Sequence, residues 1–173
     1  MKALGAVWIL ALPLLGADPL HIDSGARQML ASPDIAFAMD AEQSGVAGIQ
    51  LGRLAAEKGT SPELKQFGTQ LADECARLDR KLAEFAAGDK MVLPQVPTAK
   101  DQSSYEKLAR LSGVAFDKAY AKQMLKRQQK VAKRFARQAK KGKNDQLREL
   151  ASESLPAIEQ HIDQLKSIRS QTS

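Results

Sequence analysis

SPELKQFGTQLADECARLDRKLAEFAAG, residues 61–88, is the stretch whose reading decides the fold. Ser61, Pro62 and Glu63 spell a helix start: a hydroxyl to accept a free N–H, a proline at the first helical position, and an acid at the positive end of the dipole. Leu64, Phe67, Leu71, Cys75, Leu78, Leu82 and Phe85 follow at three- and four-residue steps, so they share one helix face. Gly88 supplies the stop.

The same grammar stands upstream. Ser32, Pro33 and Asp34 open a helix whose apolar side is expected at Ile35, Ala38, Ala41, Val46, Ile49 and Leu54, with Gly59 ending it. The short link to Ser61 makes these two helices antiparallel neighbours. Downstream the pattern breaks. Gly88 to Gly113 holds Pro94 and Pro97, then a short helical piece expected around Tyr105–Leu111, and reads as a crossover.

A third long helix is expected from about Val114 to Lys141, with Phe116, Tyr120, Met124, Gln128, Val131 and Phe135 inward. Gly142 and Asn144 mark a tight turn. A fourth helix places Leu147, Leu150, Ala151, Ile158, His161, Leu165 and Ile168 inward, with a kink expected at Pro156. At about 26 residues each, the helices are about 40 Å long. No run alternates with the period of two that a strand requires. Short, long, short connections predict an all-α, ferritin-like four-helix bundle over residues 32–170, with one long crossover carrying a short extra helix.

The N-terminus reads as an export signal. Lys2 is the one early charge, Ala3 to Leu15 is apolar apart from glycine and proline, and Leu15, Gly16 and Ala17 end in small residues. The run is too short for a comfortable membrane span. Residues 1–17 are therefore expected to be a signal peptide and 18–31, with His21, a polar leader; the chain is expected to be periplasmic or secreted. Removing 17 of 173 residues leaves 156, one domain with a real core. Cys75 is the single cysteine, so no internal disulfide forms, and no cysteine near the cleavage site offers a lipid anchor. No later segment is apolar enough to cross a membrane.

Charge is uneven. The formal net charge is +6, yet Lys118 to Arg148 holds twelve basic residues and one acid, Asp145. The remainder then has 26 − 12 = 14 basic and 20 − 1 = 19 acidic residues, a balance of −5. Lys118, Lys122, Lys126, Lys130, Lys133, Arg137 and Lys140 fall opposite the third helix's apolar stripe and form a line along the outside. Such a line either solubilises the helix or draws a polyanion: lipid headgroups, lipopolysaccharide, cell-wall polymer or extracellular DNA. Aromatic residues do not interleave with it, so specific nucleic-acid recognition is not indicated.

Three stripes carry a chemically special residue at an inward position: Cys75, Gln128 and His161. His161 can hydrogen-bond Gln128 and titrates near neutral pH. With Cys75, and with Asp73 and Glu74 nearby, it forms the interior candidate site, and a metal or redox role for His161 and Cys75 is the alternative function. A di-iron bundle needs Glu-x-x-His, whereas Ile158 stands three residues before His161. Zinc wants four ligands, or three and water, and Arg127 borders the same face. No cofactor is therefore expected. A Cys75–His161 nucleophile lacks an oxyanion hole, so Cys75 reads as a buried, inert thiol. No phosphate loop, nucleophile elbow or zincin motif is present, and the chain reads as non-enzymatic.

Four segments together carry a family resemblance: FAMDAEQSGVAGIQLGRL (37–54), QFGTQLADECARLDRKL (66–82), AFDKAYAKQMLKRQQK (115–130) and LPAIEQHI (155–162). In order and spacing the chain resembles the domain of unknown function 4142 family over about residues 33–169. That resemblance implies an exported bacterial protein with a ferritin-like fold and acidic and histidine residues on its inward faces. Of the family's inward pieces, Leu155, Pro156 and His161 match. Gly48, Gln50, Cys75, Arg127 and Gln128 depart from it, which implies a degenerated interior site.

Overall fold

The computed structural model describes residues 33–171. The expected signal peptide (1–17), the leader (18–31) with His21, and the Ser32 cap lie outside the described residues. Those described form five helices: α1 (Pro33–Lys58), α2 (Pro62–Gly88), α3 (Ala99–Ala109), α4 (Gly113–Lys141) and α5 (Asp145–Gln171). There is no strand among them.

The start signals act as read. The Ser61 side chain accepts from Leu64 N at 3.1 Å, with Pro62 inside the first turn. Asn144 does the same for α5, accepting from Leu147 N at 3.0 Å. The short helix, expected around Tyr105–Leu111, lies earlier. Thr98 caps it, accepting from Asp101 N at 3.1 Å while its hydroxyl donates to the Asp101 carboxylate at 2.8 Å. α5 runs through Pro156 as one continuous helix.

The long helices pack as two hairpins, α1–α2 and α4–α5; α1 also adjoins α4, and α2 adjoins α5. Partner residues fix the directions. As α1 advances from Asp34 to Asp40, Ser44 and Leu51, its partners on α4 retreat from Gln138 to Arg134, Arg127 and Tyr120. As α2 advances from Gln70 to Glu74 and Lys81, α5 retreats from Gln164 to His161 and Glu153. Every neighbouring pair is thus antiparallel, which leaves α2 and α4 running the same way. The segment joining them, with α3, must travel the length of the molecule.

The inward faces of α2, α4 and α5 follow the expected stripes, with Cys75, Leu78 and Val131 only half-buried. On α1 the reading needs correction. Ile35, Val46 and Ile49 are half-buried, while Phe37, Ala47 and Leu51 are in the core. Gly45, Gly48 and Gly52 turn this face onto α2. A Cβ on Gly52 would stand 2.6 Å from the Gly68 carbonyl oxygen, so the two backbones touch there, and apolar side chains all around α1 gave the stripe no unique phase.

Two buried aspartates tie the hairpins at opposite ends. Asp34 of α1 accepts from Lys143 N at 3.0 Å, Asn144 N at 2.9 Å and Gln138 Nε2 at 2.7 Å, holding the α4–α5 turn. Asp117 of α4 accepts from Thr60 N at 3.1 Å and from the Thr60 hydroxyl, holding the α1–α2 turn. Each carboxylate thus satisfies N–H groups of the other hairpin. Asp117→Ala strands a turn N–H and is expected to cost about 2–4 kcal/mol. Urea denaturation checks this; a loss below about 0.5 kcal/mol would show that the clasp is not structural.

Candidate functional site

Where the hairpins meet at mid-length, the apolar interior divides. One cluster gathers around Phe67, Phe116 and Tyr120; the other gathers around Phe37, Leu82 and Phe135. Between them lie polar side chains and a cavity of about 290 Å³. Its walls take in residues of both clusters and the half-buried Cys75, Leu78 and Val131, so those stripe positions are incompletely covered because they face this space.

His161 reaches the cavity from α5 and is 3 % exposed. Its ring stacks edge-on to Phe67, with centroids 5.4 Å apart. Its Nδ1 stands 3.5 Å from Gln128 Nε2 on α4. Which of the two donates follows from the tautomer of the ring. Nε2 lies 3.0 Å from a Glu74 oxygen on α2, but off the direction of a hydrogen bond. Glu74 also accepts from Gln70 Nε2 at 3.1 Å, and Gln70 in turn accepts from Gln164 Nε2 at 3.1 Å. A polar relay therefore crosses α2, α4 and α5. Burial lowers the His161 pKa below its ordinary 6.5, with Glu74 pulling the other way, so the ring is neutral at pH 7.

Cys75 packs on Gly48, its sulfur lying where a side chain on that glycine would stand. The residue is half-buried because it borders the cavity, but apolar neighbours desolvate the sulfur. That burial pushes the thiol up to about 12; Arg127 draws it down and Glu74 adds to the rise. Arg127, also on the cavity wall, pairs with Asp101 of α3 and donates to the Ser44 carbonyl at 3.1 Å. Asp73 takes no part in the site: it is exposed on α2, away from the cavity.

The residues do not suit a metal. Among the described residues, no three His, Cys, Asp or Glu side chains converge as ligands. A guanidinium also shares the wall and repels a cation there.

The family model for a domain of unknown function (DUF4142) matches residues 21–168. The chain belongs to that family. Neither a curated protein nor a solved structure matches it. In this DUF4142 chain, no described helix is long and apolar enough to cross a membrane.

The sequence reading missed a second polar group. Glu42 of α1 is 1 % exposed; its Oε1 accepts from Gln95 of the crossover at 2.9 Å, and its other oxygen finds no donor in the neutral backbone or amides. Asp79 of α2 faces it. Burial, reinforced by the hydrogen bond and charge of Asp79, raises Glu42 to about 8, so Glu42 keeps its proton at neutral pH. The available signal was position: Glu42 stands four residues after Ala38 on the buried side of α1, and Asp79 four after Cys75.

The basic residues stand where they were expected. Lys118, Lys122, Lys126, Lys130, Lys133, Arg137 and Lys140 are all exposed on α4. None joins an ion pair among the described residues, whereas Arg127, Arg134 and Arg148 each do.

At pH 8 Ellman's reagent should modify Cys75 on the order of 10³ times more slowly in the native than in the denatured chain, since an ordinary thiol ionises near 8.5; comparable rates would remove the sulfur from its desolvated position. The proton on Glu42 makes stability fall with rising pH. The unfolded carboxyl ionises at about 4.5 and the folded one at about 8. The contribution is therefore full below 4.5, declines through that window and is gone above 8. Glu42→Gln, which still accepts from Gln95 and donates to Asp79, should flatten the profile. It should also stabilise the protein at pH 8 by several kcal/mol, at about 1.4 kcal/mol for each tenfold change in proton affinity. An unaltered slope in calorimetric scans from pH 5 to 8 would contradict the proton on Glu42.

Proposed function

We propose that this DUF4142 chain is an exported, non-enzymatic envelope protein: a ferritin-like four-helix bundle with a degenerated interior metal site, whose α4 face binds an anionic partner. One observation carries the binding reading, namely seven exposed basic side chains in line along α4 without ion-pair partners among the described residues. From Lys118 to Lys140 the line spans about 33 Å at 1.5 Å per residue. The antiparallel neighbours and the lengthwise crossover support the ferritin-like reading. Export rests on the character of residues 1–17.

The apolar face of α4 is occupied. Phe116, Tyr120, Met124 and Phe135 are buried in the core, so this helix has nothing to insert into a bilayer. Attraction is then electrostatic, to the phosphate or carboxylate groups of an envelope polymer or a lipid headgroup layer. Seven such contacts with a densely charged polymer weaken binding by on the order of 10³ between about 50 and 200 mM salt.

Lys126→Glu, Lys130→Glu and Lys133→Glu together should abolish sedimentation with anionic lipid vesicles or retention on immobilised lipopolysaccharide, and which of the two is lost names the partner class. Reversing Lys65, Lys100 and Lys107, exposed on α2 and α3, changes net charge equally and should leave binding intact. Equal losses in both triple variants would reduce the effect to net charge and sink a dedicated α4 face.

A further inference from the structure

The basic residues of α4 make a ridge, not a plate. From residue 118 to 141 every exposed position except Gln129 is lysine or arginine. At 3.6 residues per turn the seven in line fall within an arc of about 120°, so they are as wide as one helix, about 10–12 Å, and about 33 Å long. The flanks do not continue the charge. On one side Arg127 and Arg134 are tied to Asp101, the Ser44 carbonyl and Asp40. On the other, α5 exposes Asp145, Glu149, Glu153, Glu159 and Asp163, but of basic residues only Lys166 and Arg169.

Each limit excludes an occupant. Packed helix axes lie about 8–10 Å apart, so a lipid plane resting on α4 stays within about one Debye length, about 8 Å, of the acids on α5. A single polymer chain lying along the ridge avoids them. A rigid duplex winds away from a straight helix and meets only part of the line. Phe116, Tyr120 and Phe135 are buried and the exposed arc carries no aromatic side chain, so bases have no platform to stack on.

Spacing and residue type select the chemistry. Steps of three and four residues set one charge about every 5.5 Å. A phosphodiester chain with six backbone bonds per repeat spans up to about 7 Å between phosphates, at about 3.5 Å for three bonds as in an extended peptide, and can contract to match. Six of the seven are lysines. An ammonium is a point charge with rotatable donors and suits a tetrahedral phosphate, whereas a planar carboxylate favours the arginine fork. We propose that the α4 ridge binds a flexible polyol-phosphate chain lying lengthwise, one phosphodiester to each basic side chain. This rests on the exported, anion-binding reading of α4 above.

Fluorescence anisotropy of the full chain with end-labelled glycerol-phosphate oligomers of four, eight and sixteen phosphates tests this. At about 50 mM salt the octamer should bind on the order of 10²–10³ tighter than the tetramer, and the hexadecamer less than tenfold tighter than the octamer, because the line is then full. For the hexadecamer, log K should fall with log salt at a slope of about −5, or about −0.7 for each of seven contacts. Lys126→Glu, Lys130→Glu and Lys133→Glu together should bring the octamer down to the tetramer's affinity or below. Affinity that keeps climbing past eight phosphates, or a slope near −2, overturns the lengthwise seating. A thymidine oligomer of eight phosphates binding more than tenfold tighter makes this a nucleic-acid site, and an oligogalacturonate of eight carboxylates binding equally well removes the preference for phosphate; either overturns the proposal. Phosphatidylglycerol vesicles that bind where the oligomers do not leave the anionic face of α4 standing and overturn the polymer; binding of none of these probes removes both.

Discussion

Two buried aspartates hold the molecule together from opposite ends. Asp34 and Asp117 each lie on one hairpin and satisfy the turn N–H groups of the other. Turn amides need partners, and burying a carboxylate requires donors, so each need is met by the other hairpin. The clasp fixes register as well as contact: with both turns held, α1 cannot slide along α4. Everything at mid-length, including the level at which His161 meets Glu74 and Gln128, follows from that register.

With the ends secured, the middle need not be filled. The α1–α2 pair is drawn close at Gly52 and Gly68, where backbones touch, while the hairpins meet each other through side chains. The interior splits there into two apolar clusters with polar residues between. A buried histidine, a carboxylate and a glutamine are expensive in such a place unless they satisfy one another. The hydrogen bonds from Gln164 to Gln70 and from Gln70 to Glu74, with the Gln128–His161 contact, do most of that, leaving His161 Nε2 without a hydrogen-bond partner. Where α1, α2 and the crossover meet, Glu42, Asp79 and Gln95 solve a similar problem with a proton kept on Glu42.

The outer surface follows different physics. Basic residues spaced along α4 repel one another in the folded state, and no described acid neutralises the seven in line. Other cations near the same helix are consumed structurally: Arg127 by Asp101 and the Ser44 carbonyl, Arg134 by Asp40. The separation is sharp. Basic residues that reach a neighbouring helix are paired, and those directed outward are left for solvent or a partner.

How much of this was legible beforehand depended on how local the signal was. The boundaries of α2, α4 and α5 came through because caps, prolines, glycines and apolar spacing act within a few residues. The inward positions of α5, His161 among them, came through because one clear stripe fixes a helix's phase. α1 failed that test: it is apolar nearly all around, and its true face was chosen by glycines that let α2 approach. The α3 start was missed because the Thr98 cap was not read. Glu42 went unread because its burial depends on which face of α1 turns inward and on Gln95 of the crossover reaching it. The sequence by itself determined the helices, the basic line and which special residues would lie inside. Only the tertiary structure decided which of those met, that His161 lies against Glu74 and not Asp73, and that a cavity stays open between two filled clusters, because those outcomes depend on distances between segments far apart in the chain.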